Sequence, residues 1–588
     1  MINLKANPFY LSDTDCQWVT ETIAKMSDEE KVGQLFFGIS SSFDDTYLKE
    51  LTAKYHIGGC RYNSGPSVFV RKHNETLQKS SAIPLFIATN TESGGDNACS
   101  DGTFIGSGVK IGATGKKEYA YDLGKMANEE AAAVGCNMAF APVCDISYNW
   151  ENTEIISRAF GSDPKQVAEF SCEYLKGAHT IDGFACAAKH FPGNGLDFRD
   201  AHLSNNVNPL ELSEWENTYG AVYKTLFKNG LDAVMAGHIM LPKVAKALNG
   251  KLKDEDMMPA TLSHEIITGL LREKLGFNGV VITDASHMVG MTCRMKRSDM
   301  LPLAINAGCD MLLFFNDPDE DFITMLNAYR SGVISEERIQ EALTRILGLK
   351  AHMGIHRKSK DQIVPSEEAM RLTLGKKEYV QAQRDICDKG ITLVKYKDKD
   401  ILPITPERYK RIMLVHVKGA ESGMTALMKA VGMSGGSPVQ LLEKKLTEKG
   451  FEVFVYENPV DKMRKQAEAG EKPDVNLFFA GKSAIADFTA KMDLVITICD
   501  VPFGRPSFGL AIGGGEIPWY VFEVPVIVIG CESPTMLADI PQARTYINTY
   551  DSKEATMDAL VEKLMKGPSA FLGTDPIDSF CGLFDTHL

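Results

Sequence analysis

Eight short apolar runs punctuate the first 316 residues, each closed by turn residues. They begin at Lys31 (KVGQLFFGI), Ile57 (IGGCRY), Pro84 (PLFIATN), Asn137 (NMAFAPV), Cys186 (CAAKHF), Ala233 (AVMAGH), Gly279 (GVVITD) and Asp310 (DMLLFF). Runs this short and this apolar predict strands buried on both faces. Between them, stretches such as KKEYAYDLGKMANEEAAAVG and TLSHEIITGLLREKLG place apolar residues at helical spacing, the second with Thr and Ser available as caps. Strands alternating with helices predict a parallel sheet with covered faces, and eight is the number that closes a (β/α)8 TIM barrel. An open doubly wound sheet is the competing arrangement.

A long helical pattern, SEERIQEALTRILGLKAHMGI, follows the last of these runs, and a polar stretch, HRKSKDQIVPSEE, comes after it. Further strand-like runs then appear: GITLVKY, RIMLVHV, FEVFVYE, DLVITICD, VPVIVIG and RTYINTY. They predict a C-terminal three-layer α/β sandwich. The expected division is a barrel over residues 1–355, a linker over 356–382 and the sandwich over 383–588. The glycine-rich LAIGGGEIPW lacks the lysine and the strand-turn-helix setting of a phosphate-binding loop, and is expected to be a turn.

Composition narrows the partners. A chain of 588 residues is too long for one core, and 44% hydrophobic with 24% charged residues is ordinary for folded domains. The net charge of −14 argues against a nucleic-acid partner, because phosphate binding needs clustered Lys and Arg. The N-terminus has no apolar core of signal-peptide length, and no later stretch reaches the ~18 apolar residues of a membrane span. The 13 cysteines, odd in number and set in apolar segments without a CxxC pair, suit a reducing compartment. A cytoplasmic protein with no membrane partner and no cofactor is expected.

Polar residues cluster at the C-terminal ends of the predicted barrel strands: Asn90, Glu92, Asp145, Lys189, His190, His238 and Asp284. Barrel enzymes place their chemistry at that rim, where side chains converge on one mouth. Just beyond the fifth run lies KHFPGNGLDFRDAHL, in which Asp200 and His202 stand two apart. That spacing lets the carboxylate hold one ring nitrogen while the other meets a substrate, and histidine titrates where proton transfer at neutral pH needs it. Asp284, ending the seventh run, is placed to attack a carbon bearing a leaving group. A nucleophile and a proton donor on different loops of one rim suit glycosidic cleavage with retention. Arg158 and Lys189 are candidates to bind sugar hydroxyls. The glycines of PGNG are expected to hold the histidine loop above the mouth while letting it move.

The motifs KHFPGNG, RDAH, FAPVCDI, SRAFGSDP, MPATLSHEIITGLLREKLGFNGVVITD and ITLVKY…LPI resemble the β-N-acetylglucosaminidases of glycoside hydrolase family 3. The resemblance implies a retaining mechanism with Asp284 as nucleophile and His202 as general acid and then base, oriented by Asp200. It also implies that Arg158, Lys189 and His190 contact the sugar, a terminal β-linked N-acetylhexosamine of peptidoglycan, chitin or a glycoconjugate. Two departures stand out. Asn194 replaces the second histidine of KHFPGHG, and Asn90 replaces the aspartate of an Asp-Gln-Glu-Gly-Gly stretch that an arginine ordinarily follows. Losing that acceptor and donor points to an altered sugar or substituent.

Three alternatives remain open on sequence. A neutral histidine base repels an anion less than a carboxylate does, so phosphate could replace water and make a glycoside phosphorylase. His190, His202, His238 and His287 could form a metal centre, although no HxH or HExxH spacing supports one and no metal is expected. A non-catalytic sugar-binding barrel is the third.

Overall fold

The computed structural model of the chain describes residues 2–40, 42–418, 437–457, 459–474, 484–501 and 522–588. The stretch LAIGGGEIPW lies outside the described residues. The chain forms two compact units, residues 1–108 with 116–382 and residues 109–115 with 383–588.

In the first unit all eight apolar runs are strands: β1 (Phe36–Ser40), β2 (Gly59–Tyr62), β3 (Phe86–Thr89), β4 (Met138–Ala139), β5 (Ala185–Phe191), β6 (Ala233–Ala236), β7 (Val280–Ala285) and β8 (Met311–Leu313). Each pairs in parallel with its sequence neighbours, and β8 returns to β1 through Phe36↔Leu312 and Phe37↔Leu313. That last pairing closes the barrel and rules out the open sheet. The Phe37 ring lies 6.3 Å from Phe86 on β3 and 5.3 Å from Phe140 just beyond β4. Strands so far apart around the wall touch only through the interior, so aromatic packing fills the barrel below its mouth.

Helices Glu118–Ala133 and Glu336–His352 form where the spacing predicts, the second capped by Ser335, and helix Pro164–Ala178, capped by Asp163, lies between β4 and β5. Glu265–Lys274 differs, winding with wider i→i+5 hydrogen bonds. Its buried residues, Ile266, Ile267, Leu270 and Leu271, are separated by one and four positions, a spacing that the wider turn also keeps on one face. Ser263 accepts from the Ile266 amide as a cap, whereas the Thr261 hydroxyl is taken by the His238 ring at 2.9 Å. The stretch expected to be a linker is folded with the barrel unit and includes helix Glu367–Thr373.

The Pro-Gly-Asn-Gly turn is fixed, contrary to the expectation of a mobile hinge. Pro192 to Gly195 are buried. The Trp215 indole donates to the Pro192 carbonyl and the Tyr219 hydroxyl to the Asn194 carbonyl, each at 2.8 Å. Exposure begins further on, at Phe198.

The second unit is built on a six-stranded sheet of β9 (Thr392–Tyr396), β10 (Arg411–Lys418), β11 (Glu452–Val455), β12 (Leu494–Asp500), β13 (Val526–Gly530) and β14 (Thr545–Asn548), in the order β9-β14-β13-β12-β10-β11. All pairs are parallel except β9 with β14. Alternate residues feed two cores: Ile412, Ile496 and Ile527 on one face, Val495, Val526 and Val528 on the other. This is the three-layer α/β sandwich. Within this unit Lys110 is fully buried and donates to Asp551 and Thr556, each at 2.6 Å. Among the described residues, no helix is long and apolar enough to cross a membrane.

Gly195 has a φ of +114°, and a Cβ there would lie 1.9 Å from the Ile146 carbonyl oxygen. The Gly195→Ala variant is expected to lose about 2–4 kcal/mol of stability, read from urea unfolding followed by tryptophan fluorescence.

Candidate active site

The mouth is organised around one carboxylate. Glu92, just past β3, accepts from Arg158 Nε at 2.8 Å and Nη2 at 2.9 Å, and from Lys189 Nζ at 2.6 Å. Burial alone would push the Glu92 carboxyl up, but the Arg158 and Lys189 cations outweigh it and hold it far below the usual carboxylate range. Lys189, 3% exposed, is pulled below the ordinary lysine value by burial and by Arg158, against the pull of Glu92. Its ammonium also reaches Asn90 Oδ1 at 3.4 Å. Two cations from the β4 loop and from β5 are thereby fixed at the rim by β3, and Asn90 offers an uncharged contact beside them.

Asp284 ends β7. Its Oδ1 accepts from the Ala285 amide at 2.7 Å, and its Oδ2 lies 4.0 Å from His190 Nε2. Burial would raise this carboxyl too, but the His190 and His238 rings, the Ala285 amide and Lys189 keep it below its usual range. His190 is oriented from behind, its Nδ1 at 2.6 Å from Asp145 Oδ2. Asp145 is wholly buried and also accepts from the amides of His190 and Asn194. His238 is 1% exposed, with Nδ1 on Thr261 and Nε2 on the Ala285 carbonyl at 3.0 Å, so that Nε2 carries the proton. Burial pushes the His238 ring below the ordinary imidazole value. Asp145 and His238 were expected to contact a substrate. In the structure their side-chain atoms hydrogen-bond to His190, Asn194, Thr261 and the Ala285 carbonyl.

The loop after β5 brings the proton-transfer pair. His202 Nδ1 lies 2.7 Å from Asp200 Oδ1, which also accepts from the His202 amide at 2.8 Å. The hydrogen bond to Asp200 lifts the His202 ring above the ordinary imidazole value, against its partial burial. Burial would raise the Asp200 carboxyl, but His202 holds it down through ring and backbone. The His202 side chain is 54% exposed, leaving Nε2 available to a ligand. Two backbone bonds stitch this loop to the one after β7: Val289 N to His202 O at 3.3 Å and Gly290 N to Ala201 O at 3.0 Å. The loops carrying Asp284 and His202 are therefore neighbours.

Sequence inspection missed Glu154 and Asn152, on the loop after β4. Glu154 is 7% exposed, and Asn194 donates to its Oε2 at 2.8 Å. Asn152 Oδ1 accepts from the Glu154 and Ile155 amides while its Nδ2 donates to the Asp197 carbonyl at 2.7 Å. Their only signal is an Asn-x-Glu four residues before Arg158. Among the described residues, His190, His238 and His287 do not join any cluster of three metal-ligating atoms; Glu154, Asp200 and His202 each place one such atom within 4.8 Å of the others, and within that group Asp200 and His202 are hydrogen-bonded.

A closed β/α barrel whose rim gathers an ionised carboxylate, an Asp–His pair and two fixed cations defines a barrel enzyme equipped for nucleophilic and acid–base work on a polar substrate. The chain belongs to glycosyl hydrolase family 3: residues 27–349 match the family's N-terminal domain. It is a glycosidase. A Cellulomonas fimi protein named β-N-acetylglucosaminidase/β-glucosidase is 36% identical over the full length of both chains. β-Hexosaminidase A of Pseudoalteromonas piscicida is 28% identical over 61% of this chain and 62% of its own. Among solved structures, a β-glucoside phosphorylase, BglX, superposes with a TM-score of 0.88 at 34% identity over 99% of each chain. A family 3 β-N-acetylglucosaminidase of Paenibacillus sp. str. FPU-7 superposes at 0.76 and 24% identity, over 94% of this chain and 99% of that one, a likeness of fold.

Replacing Glu92 by Gln removes the one anion shared by Arg158 and Lys189 and leaves two cations at close quarters. The variant is expected to lose about 3–5 kcal/mol in urea unfolding at neutral pH.

Proposed function

We propose that the chain cleaves a terminal, non-reducing β-linked N-acetylglucosamine or closely related glucosyl residue by a retaining double displacement. Asp284 is the nucleophile and His202 the acid and then the base, with Asp200 holding its ring. The observation that carries this assignment is the pair of backbone bonds joining the His202 loop to the loop that follows Asp284. They keep the Asp284 carboxylate and the His202 imidazole on adjoining parts of one mouth.

In the first step a carboxylate oxygen of Asp284 bonds to the anomeric carbon as the bond to the aglycone oxygen breaks, and that oxygen takes the Nε2 proton of His202. In the second, an acceptor hydroxyl attacks the same carbon and gives its proton to His202, and the ester to Asp284 breaks. Arg158, Lys189 and His190 orient the ring by charge-assisted and imidazole hydrogen bonds, Glu92 fixes the two cations, and Asn90 meets the far side of the sugar. Asp145 and His238 support His190 and the β7 end. Substrates in this class include peptidoglycan fragments and chitin oligomers.

Phosphate as the acceptor is a second reading, favoured by the 34% identity to a β-glucoside phosphorylase along nearly the whole of both chains. A neutral imidazole left after the first step repels an incoming phosphate less than a carboxylate would.

Three outcomes are expected. A slow 5-fluoro glycoside of N-acetylglucosamine or glucose should leave a sugar adduct on Asp284 in peptide mass spectrometry; an adduct on another residue, or none with intact turnover, would overturn the nucleophile assignment. The pH profile of kcat/KM should be bell-shaped, because the free enzyme needs Asp284 ionised and His202 protonated. Its acidic limb should lie below about 4 and its alkaline limb above about 6.5, following the downward and upward shifts of these groups. Turnover in phosphate and in a phosphate-free buffer decides the acceptor, a sugar 1-phosphate indicating phosphorolysis and free sugar in both indicating hydrolysis.

A further inference from the structure

We infer that Glu154 is a positioning residue for the acid/base: clamped by the Asn194 amide, it closes with Asp200 a two-carboxylate cradle that holds the His202 imidazolium in place for proton donation. The inference rests on the assignment of His202 above and extends it to a residue outside the Asp–His pair.

One oxygen each of Glu154 and Asp200 and one ring nitrogen of His202 all lie within 4.8 Å of one another. Glu154 is 7% exposed, and among the described residues Asn194 Nδ2 donates to its Oε2 while the Arg158 cation lies within electrostatic reach. Its placement is built in detail. The Asn152 side chain fixes the Glu154 backbone amide at 3.0 Å, and Asn194 Oδ1 accepts from Asn152, Asn206 and the Gly195 amide at 3.2, 3.2 and 2.7 Å. With its oxygen so occupied, Asn194 presents its Nδ2 to Glu154 in one orientation. The departure from the KHFPGHG pattern thus has a partner: an amide that donates to a carboxylate on the neighbouring loop.

The charged and titratable groups facing His202 are Asp200 on its own loop, Glu154 after β4, Asp284 at the end of β7, and the His238 and His287 rings after β6 and β7. Asp200, Glu154 and Asp284 all favour the protonated ring. Asp200 sets its tautomer and Asp284 must give up its charge to the sugar ester. Of the three, Glu154 neither attacks the substrate carbon nor shares the ring's hydrogen bond.

The experiment compares the wild type with Glu154→Gln and Asn194→Ala on two aryl glycosides of the accepted sugar, one with a dinitrophenyl aglycone that leaves without protonation and one with an unactivated phenyl aglycone. Glu154→Gln keeps the acceptor for Asn194 and removes the charge. It should move the alkaline limb of kcat/KM for the phenyl glycoside down by about half to one pH unit. It should also slow that substrate about three- to tenfold at pH 8 and leave the dinitrophenyl glycoside within about twofold, because only the phenyl aglycone needs the acid. Asn194→Ala, which frees the carboxylate, should shift the limb in the same direction by less. An unmoved limb, or equal loss on both aglycones, would overturn the role of Glu154. The His202→Asn control separates the two levels: equal loss on both glycosides there would overturn the acid/base assignment itself. Selective loss in His202→Asn, without it in Glu154→Gln, would overturn only the inference about Glu154.

Discussion

The active site depends on one carboxylate neutralising two cations. Arg158 and Lys189 come from different parts of the chain, and Lys189 is almost wholly buried, so without Glu92 their charges would repel each other in a setting that hydrates neither well. Glu92 converts that repulsion into a rigid donor array. The ion cluster spans three consecutive strand ends, β3 to β5, and the Asp284 carboxylate stands further along the rim at the end of β7.

The same logic of burial with compensation recurs around Asp284. His190 stands before it, itself held by the buried Asp145, and His238 stands behind, with both ring nitrogens occupied. Each layer is fixed by the next, so the setting of the Asp284 carboxylate is inherited from the groups packed around it. The contrast with His202 is deliberate in physical terms. The acid/base role proposed for it calls for a ring that incoming and departing molecules can reach, and its ring is half-exposed.

Much of this architecture can be traced in the chain alone. The eight strands are visible because each is a short apolar run, and the mouth is visible because Glu92, Lys189, His190 and Asp284 interrupt such runs at one end. Closure is not visible, since the pairing of Phe36 with Leu312 joins positions far apart in sequence. The wider winding of Glu265–Lys274 is hidden for a different reason: its apolar spacing fits two helix types. The glycines of the Pro-Gly-Asn-Gly turn suggest mobility, but rings from Trp215 and Tyr219 lock it, and local sequence carries no sign of side chains arriving from the next helices. Glu154 escaped notice because an acidic residue in a loop is ordinary until Asn194, forty positions on, is seen to donate to it.

The stitching of the β5 loop to the β7 loop has a consequence for anyone redesigning the protein. Gly290 contributes its amide to Ala201, and a Cβ at that position would come within 3.0 Å of both that carbonyl oxygen and the His238 side chain. The two loops are cut to fit each other at that point. A chimera that imports one of them from a cousin while retaining the other would inherit a mismatched seam, so the pair has to be transplanted as a single cassette.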